Sequence, residues 1–476
     1  MAEIILSADI GTSSLKAAFI DLNGRLRAFS RVPYTQNTVE NSAGMANVKG
    51  VYSMGVHAQD WELAFQEALK QLHEQAADCR VDGICISGNG PTLVPFTKDG
   101  QVLRPIYWHD GKIIPSQKVP SLFLPYVAWL KENNPEVYEK TSLFISSHEW
   151  LAHWLGAEAF TVLPQKSYEP YYWDEQQCDL FGIDKNKFPP FVIMGSTMGC
   201  LSEKAAAALR PFSGDCLKSG VPIIAGGPDF ITGLIGTGTL APFDACDRAG
   251  SSEGINICVN EADLSGDNGS KVRNCLTEKG LRLLPHAAEG YLNIGAVIPS
   301  SGRQFEKYRA ETNQQNRSYE EHLAELIPSD ASLDFFKGGI FHRSSVMENF
   351  SDRISYGRAI LCRMGFSVRA GIENLAIAGF PVKEMRVSGG QGKNIRWNQL
   401  KADITGVTLL IPEISDGELA GNAVLAVSAL NESSAASGFT AGKNAAGLKA
   451  AADKMIRIRD VYMPKNSSFW EEHYKS

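Results

Sequence analysis

Positions 4–9 are mainly apolar and open on the β-branched pair Ile4-Ile5, Gly11, Thr12, Ser13 and Ser14 make a turn, and 16–21 carry a second run that is mainly apolar. Asn23-Gly24 then supplies a hairpin turn before a third run at 26–32, so the first thirty residues predict three strands joined by tight turns. Trp61, Ala64, Phe65, Ala68, Leu69 and Leu72 recur at helical spacing among polar Gln, Glu and Lys, which predicts an amphipathic helix. Short buried strands are read at 83–87, 222–225 and 385–388, each running into glycines. Strands that end in glycine-rich turns before loops or helices predict a mixed α/β sheet with a site at the strand ends.

The opening theme returns in the second half. Gly250-Ser251-Ser252-Glu253 precedes an alternating run at 255–259, just as 11–14 precede 16–20. Two such hydroxyl-rich turns suggest two related halves with a boundary near 246, although Gly-Ser turns are common enough to leave duplication open on this ground alone. The division expected is 1–246 and 247–476. Residues 303–335 are polar without a clear period, and the Ala/Ser/Gly-rich 432–450 read as a mobile surface segment or an irregular helix.

Composition narrows the class. A chain of 476 residues with 44% hydrophobic and 21% charged positions is globular but too long for one core, so two or three domains are expected. The formal net charge of −7 gives no broad basic footprint and argues against nucleic acid as the main partner. The nine cysteines are scattered, with no C-x-x-C pair, which fits reduced thiols in the cytoplasm. Neither a basic, apolar leader nor an 18-residue apolar window is present, so no export or membrane partner is expected.

Several short stretches carry candidate chemistry. Asp9 ends a buried strand before Gly11, Thr12, Ser13 and Ser14, a turn that can offer amide and hydroxyl donors to phosphate while Asp9 holds Mg²⁺; the alternative is a plain hairpin with Asp9 satisfied by backbone donors. Asp229, after Gly226-Gly227-Pro228, sits where a general base for a substrate hydroxyl belongs, or else caps the helix that follows. Gly389, Gly390, Gln391, Gly392, Lys393 and Asn394 form a strand-to-helix glycine turn suited to phosphate, but the spacing is not that of a Walker A loop. Gly250-Ser251-Ser252-Glu253-Gly254 matches G-x-S-x-G, yet a strand pattern follows where a hydrolase elbow needs a helix. His148, Glu149 and His153 read as incidental helix-surface residues. Trp108 and Asp110 can grip a polyol by stacking and hydroxyl pairing, or serve as a buried ring with a cap.

In order along the chain, the Asp9–Lys16 segment, Ile86-Ser87-Gly88, Arg104 to Asp110, Gly226 to Asp229, Gly250 to Glu253 and Ser388 to Asp403 resemble the motifs of the FGGY carbohydrate kinases, in their xylulokinase-like form. That resemblance implies an α/β fold of two ribonuclease-H-like, actin-like ATPase domains around a central cleft. It implies ATP as co-substrate with Mg²⁺, and a small sugar, ketose or polyol as acceptor. By matching position, Asp9 would sit near the metal, with Thr12, Ser13, Lys16, Ser251, Gly389 and Gly390 on phosphates and Asn394 near adenine. Asp229 would be the catalytic base, and Asn89, Gly90, Trp108, Asp110 and Phe230 would line the sugar site.

The departures from the family pattern concern the acceptor. Gly90-Pro91 stands where glycerol kinases carry Arg-Glu and xylulokinases Met-His, Phe230 replaces the usual Gln or Asn, and Gly338 to His342 stand near the place of the familiar Gly-Glu-Arg segment. Losing polar contacts weakens binding of the usual polyols and counts against glycerol. A non-catalytic, regulatory sugar- or nucleotide-binding relative is the alternative reading. A cytoplasmic homodimer is the assembly expected.

Overall fold

The predicted opening meander forms. Strands β1 (Ala2–Ile10), β2 (Ser14–Asp21) and β3 (Leu26–Pro33) run antiparallel in sequence, and the helix Ala58–Gln75 follows with Trp61, Ala64, Phe65, Ala68, Leu69 and Leu72 all buried. This computed structural model describes residues 2–34, 56–107, 119–250, 252–327, 352–432 and 445–475. Two compact units emerge: residues 1–236 with 287–289 and 418–455, and residues 237–286 with 290–417 and 456–476.

In the first unit β4 (Cys79–Gly88) lies parallel to β1. Small pairs follow, β5 (Val94–Thr97) with β6 (Thr141–Ile145) and β7 (Thr161–Leu163) with β8 (Phe191–Ile193). They stand beside an aromatic core of Phe123, Phe144, Tyr172, Trp173 and Phe188. Then β9 (Thr197–Cys200) and β10 (Pro222–Pro228) complete a sheet in the order β3-β2-β1-β4-β10-β9. The strand read at 222–225 continues through Gly226-Gly227-Pro228, with a register shift between Ala225 and Gly227. Glycine permits this because a Cβ on Gly226 would fall 1.9 Å from the Ile86 carbonyl oxygen.

The second unit repeats the plan. Strands β11 (Ala245–Ala249) and β12 (Glu253–Asn260) form a hairpin, β13 (Arg282–Pro285) and β14 (Tyr291–Ile298) extend it, and β15 (Glu384–Ser388), β16 (Thr408–Pro412) and β17 (Ile458–Tyr462) close the other side. In β14-β12-β11-β15-β16, three antiparallel strands lead to two parallel ones, as in β3-β2-β1-β4-β10. The two turns that echo in sequence therefore join equivalent strands.

Its core gathers Ile255, Ile257, Ile294, Val368, Val387, Leu409 and Ile411. A second cluster, around Tyr308, Leu326, Trp397 and Trp470, uses the polar segment that lacked a clear period: helices Ser301–Glu311 and Tyr319–Leu326 bury only a few large side chains each. Helix Ala445–Met455 begins within the Ala/Ser/Gly-rich stretch, runs five residues past its end and buries Leu448 and Ala452; 433–444 lie outside the described residues. Among the described residues, no cysteine is in a disulfide and no helix is long and apolar enough to cross a membrane.

Candidate active site

Strand register builds the first half of the site. Asp9 on β1 pairs with Ser87 on β4, and Ser87 pairs with Gly227 on β10, so the C-terminal ends of three adjacent strands lie level. At the usual strand spacing β1 and β10 are about 10 Å apart. Asp229 follows two residues beyond Gly227 as the first residue of helix Asp229–Gly236, half-buried, with one carboxylate oxygen accepting from the Phe230 amide.

Asp9 is 3% exposed, and its carboxylate is held on both oxygens. Ser87 donates its hydroxyl to Oδ1 at 2.9 Å, and Lys16 Nζ stands 3.4 Å from Oδ2. Lys16 is also 3.5 Å from Glu418. Burial keeps the Asp9 carboxyl above its ordinary value; Lys16 opposes that rise and Glu418 adds to it. Asn422 completes the support, donating from Nδ2 to the Ala8 carbonyl at 2.8 Å and to the Ser87 hydroxyl at 3.0 Å.

Thr12 and Ser13 are exposed at the tip of the β1–β2 turn. Asn89 is buried and joins that turn to its own loop: it donates to Thr12 Oγ1 at 3.3 Å and accepts from Thr92 Oγ1 at 2.9 Å. Gly90 beside it is exposed, and Phe230 is half-buried next to Asp229. Trp108 and Asp110 lie outside the described residues.

The second unit carries two turns at its own strand ends. Gly250 and Ser252 connect β11 to β12, with Ser251 between them outside the described residues. Because the turn leads from strand to strand, it is a hairpin and lacks the strand-to-helix geometry of a hydrolase elbow. Gly389 follows β15 with φ +92°, and a Cβ there would lie 2.5 Å from the Ala249 carbonyl oxygen, so glycine alone allows this approach. A methyl on Gly390 would meet open space. Asn394 caps helix Ile395–Thr405, its side-chain oxygen accepting from the amides of Arg396 and Trp397.

Three side chains stand elsewhere than expected. His148 and Glu149 are buried and His153 half-buried, not incidental surface residues, because helix Ser147–Leu155 packs against β4 and β10. Glu149 accepts from the amides of Ser146 and Val162, and burial nevertheless pushes its carboxyl up to about 7. Burial likewise drives the His148 imidazole down to about 3.

Ser87, Asn422 and Glu418 carry no assigned role in the sequence reading. Asn422 had a readable signal, a lone amide in the apolar stretch from Leu419 to Ala429. Such a position demands a buried polar partner. Glu418 had none, since its partner Lys16 lies about 400 positions away.

Residues 4–119 and 114–236 match the N-terminal domain, and 338–430 the C-terminal domain, of the FGGY family of carbohydrate kinases. A xylulose kinase of Bacillus subtilis (strain 168) is 25% identical over 465 residues, covering 89% of this chain and 87% of its own. An autoinducer-2 kinase of Klebsiella pneumoniae is 22% identical, covering 89% and 85%. Among solved structures, a gluconate kinase from Lactobacillus acidophilus shares the fold at TM-score 0.72 and 16% identity, over 100% of this chain and 96% of that one. With both halves matched and two actin-like α/β domains built on one strand order, the chain belongs to the FGGY family of carbohydrate kinases, ATP-dependent phosphotransferases with an alcohol group as acceptor.

Proposed function

We propose that the protein phosphorylates a hydroxyl of a small sugar, ketose or polyol, with Asp229 as general base. The observation that carries this reading is the level register of Asp9, Ser87 and Gly227, which sets Asp229 at the same end of the sheet as the hydroxyl-rich turn. In-line phosphoryl transfer needs positioning and charge neutralisation, with a base to take the acceptor's proton. By the family resemblance, Thr12, Ser13, Lys16, Ser251, Gly389 and Gly390 serve the phosphates, and Asn394 lies toward adenine. Asn89, Gly90, Trp108, Asp110 and Phe230 belong to the acceptor side.

The donors suit Mg²⁺ carried in with the nucleotide. That ion keeps several waters and needs only one or two carboxylates beside the phosphates. Among the described residues no three-ligand cage exists, but Asp9, buried at a strand end beside the turn, is a fitting carboxylate to hold it. When bound, Mg²⁺ neutralises charge on the β- and γ-phosphates.

The xylulose kinase relative supports a short-chain ketose or related polyol as the acceptor class, and the cytoplasm is the proposed compartment, in keeping with cysteines that form no disulfide among the described residues. With Gly90 and Phe230 in place of polar side chains, glycerol is the poorer candidate. An ADP-release screen over pentuloses, hexuloses, pentitols, aldonic acids and glycerol tests this. A ketose or pentitol giving sugar-dependent ADP is expected; ATP binding without ADP release on any acceptor would instead make the protein a regulatory binder.

A further inference from the structure

Three charged side chains are sealed inside the second unit. Lys401, Asp247 and Glu253 are each fully buried, with Lys401 Nζ 2.7 Å from Asp247 Oδ2 and also bonded to Glu253 Oε1. Asp247 lies on β11 and Glu253 opens β12, so one ammonium holds both legs of the hairpin whose turn is Gly250–Ser252. The Ser301 hydroxyl fixes the other oxygen of Glu253 at 2.6 Å.

Lys401 comes from the helix that begins after the Gly389–Gly390 turn, and a second strap leaves the same helix. Trp397, one turn before Lys401 and beneath its ammonium, donates from Nε1 to Gln391 Oε1 at 2.9 Å. Gln391 Nε2 then donates to the Gly250 carbonyl at 3.0 Å. The helix thus reaches the hairpin turn at its tip, through Gln391, and at its base, through Lys401, while Gly389 lies against Ala249.

Stability does not account for this arrangement, because a buried ion triad is commonly no better than well-packed apolar residues of the same volume. What the triad supplies is register between two turns. We propose that Lys401, Asp247 and Glu253 are positioning residues for nucleotide binding, fixing the Gly250–Ser252 turn against the Gly389–Gly390 turn so that both address the same phosphates.

The triad's charge fits the task. Two carboxylates against one ammonium would leave a net negative charge below an anion-binding turn. Burial, with Glu253 adding to it, raises the Asp247 carboxyl well above its ordinary value, and although burial opposes it, Lys401 holds Glu253 below its own. The rise at Asp247 works against a second negative charge below the turn.

The proposal rests on the assignment of these turns to the nucleotide, so the test separates the two. Mg·ATP affinity is measured by calorimetry, alongside the urea midpoint, for the parent, for Gly389→Val, and for the charge-free triple variant Lys401→Met/Asp247→Asn/Glu253→Gln. The triple variant leaves no unpaired buried charge and is expected to fold with a midpoint near the parent's, yet to bind Mg·ATP at least tenfold more weakly. Glu253→Gln alone is expected to weaken Mg·ATP in the same direction without changing acceptor affinity. Loss of binding in Gly389→Val with parental affinity in the folded triple variant would overturn the positioning role alone. Undiminished binding in Gly389→Val would overturn the nucleotide assignment, and the proposal with it. If the triple variant does not fold, Glu253→Gln decides: equal losses of ATP and acceptor affinity would mark a merely structural triad.

Discussion

Asp9 shows how a buried carboxylate is held in one orientation. Its orientation depends on a relay from Asn422 through Ser87, and Asn422 also satisfies the Ala8 carbonyl. Asn422→Ala removes two buried hydrogen bonds, to the Ala8 carbonyl and to Ser87, at a cost of about 1–3 kcal/mol in stability. It also loosens Ser87, and roughly tenfold slower turnover is expected from the misplacement; urea denaturation and steady-state kinetics check the two effects. Glu149 and His148, 3.8 Å apart, make a sharper case because their titrations oppose. A buried carboxyl raised to about 7 makes the fold lose stability as pH rises from 4.5 to 7, since the native state binds the proton more tightly there. An imidazole lowered to about 3 does the reverse, losing stability as pH falls from 6.5. Between pH 4.5 and 6.5 the two slopes offset. Glu149→Gln removes one of them, so its melting temperature is expected to drop more steeply than the parent's on acidification from pH 6.5 to 4.5. Parallel curves for the two proteins would refute the buried titration.

Among the elements, glycine decides how closely the pieces approach. Helix Gly417–Glu432 meets helix Asp229–Gly236 at Gly421, where a Cβ would fall 1.9 Å from the Thr232 carbonyl oxygen. Helix propensity alone would make Gly421→Ala favourable by about 1 kcal/mol. Overpacking against backbone reverses the sign and is expected to cost about 1–3 kcal/mol, with slower turnover because the Asp229 helix must shift. A stabilised variant would show that the approach is looser than described. The strands and the first helix were legible because period-two and helical patterns are local, and Trp61 to Leu72 repeat without interruption. Helices 301–311 and 319–326 were not, because each buries only a few large side chains among charges. Lys401 was legible in principle: it shares a helix face with Trp397 and Ile404, where a charge signals a buried partner.

At the scale of the whole molecule, two units repeat one strand order, and each places a hydroxyl-rich turn after its first strand. The sequence showed this only as the echo of 11–14 in 250–253. It did not show that 418–455 return to the first unit, because the contacts responsible, such as the Ser7 hydroxyl on the Leu419 carbonyl at 2.9 Å, join positions that share no local pattern. The −7 net charge is compatible with binding ATP because the proposed donors are backbone amides and hydroxyls at strand ends, with Lys16 the one cation among them. The central claim is that Asp229 takes the acceptor's proton. On the best acceptor of the screen, Asp229→Ala is expected to lower kcat by about 10²–10⁴-fold while Mg·ATP affinity, read by calorimetry, stays within twofold of the parent. Sugar-dependent ADP release by Asp229→Ala at the parental rate would contradict it.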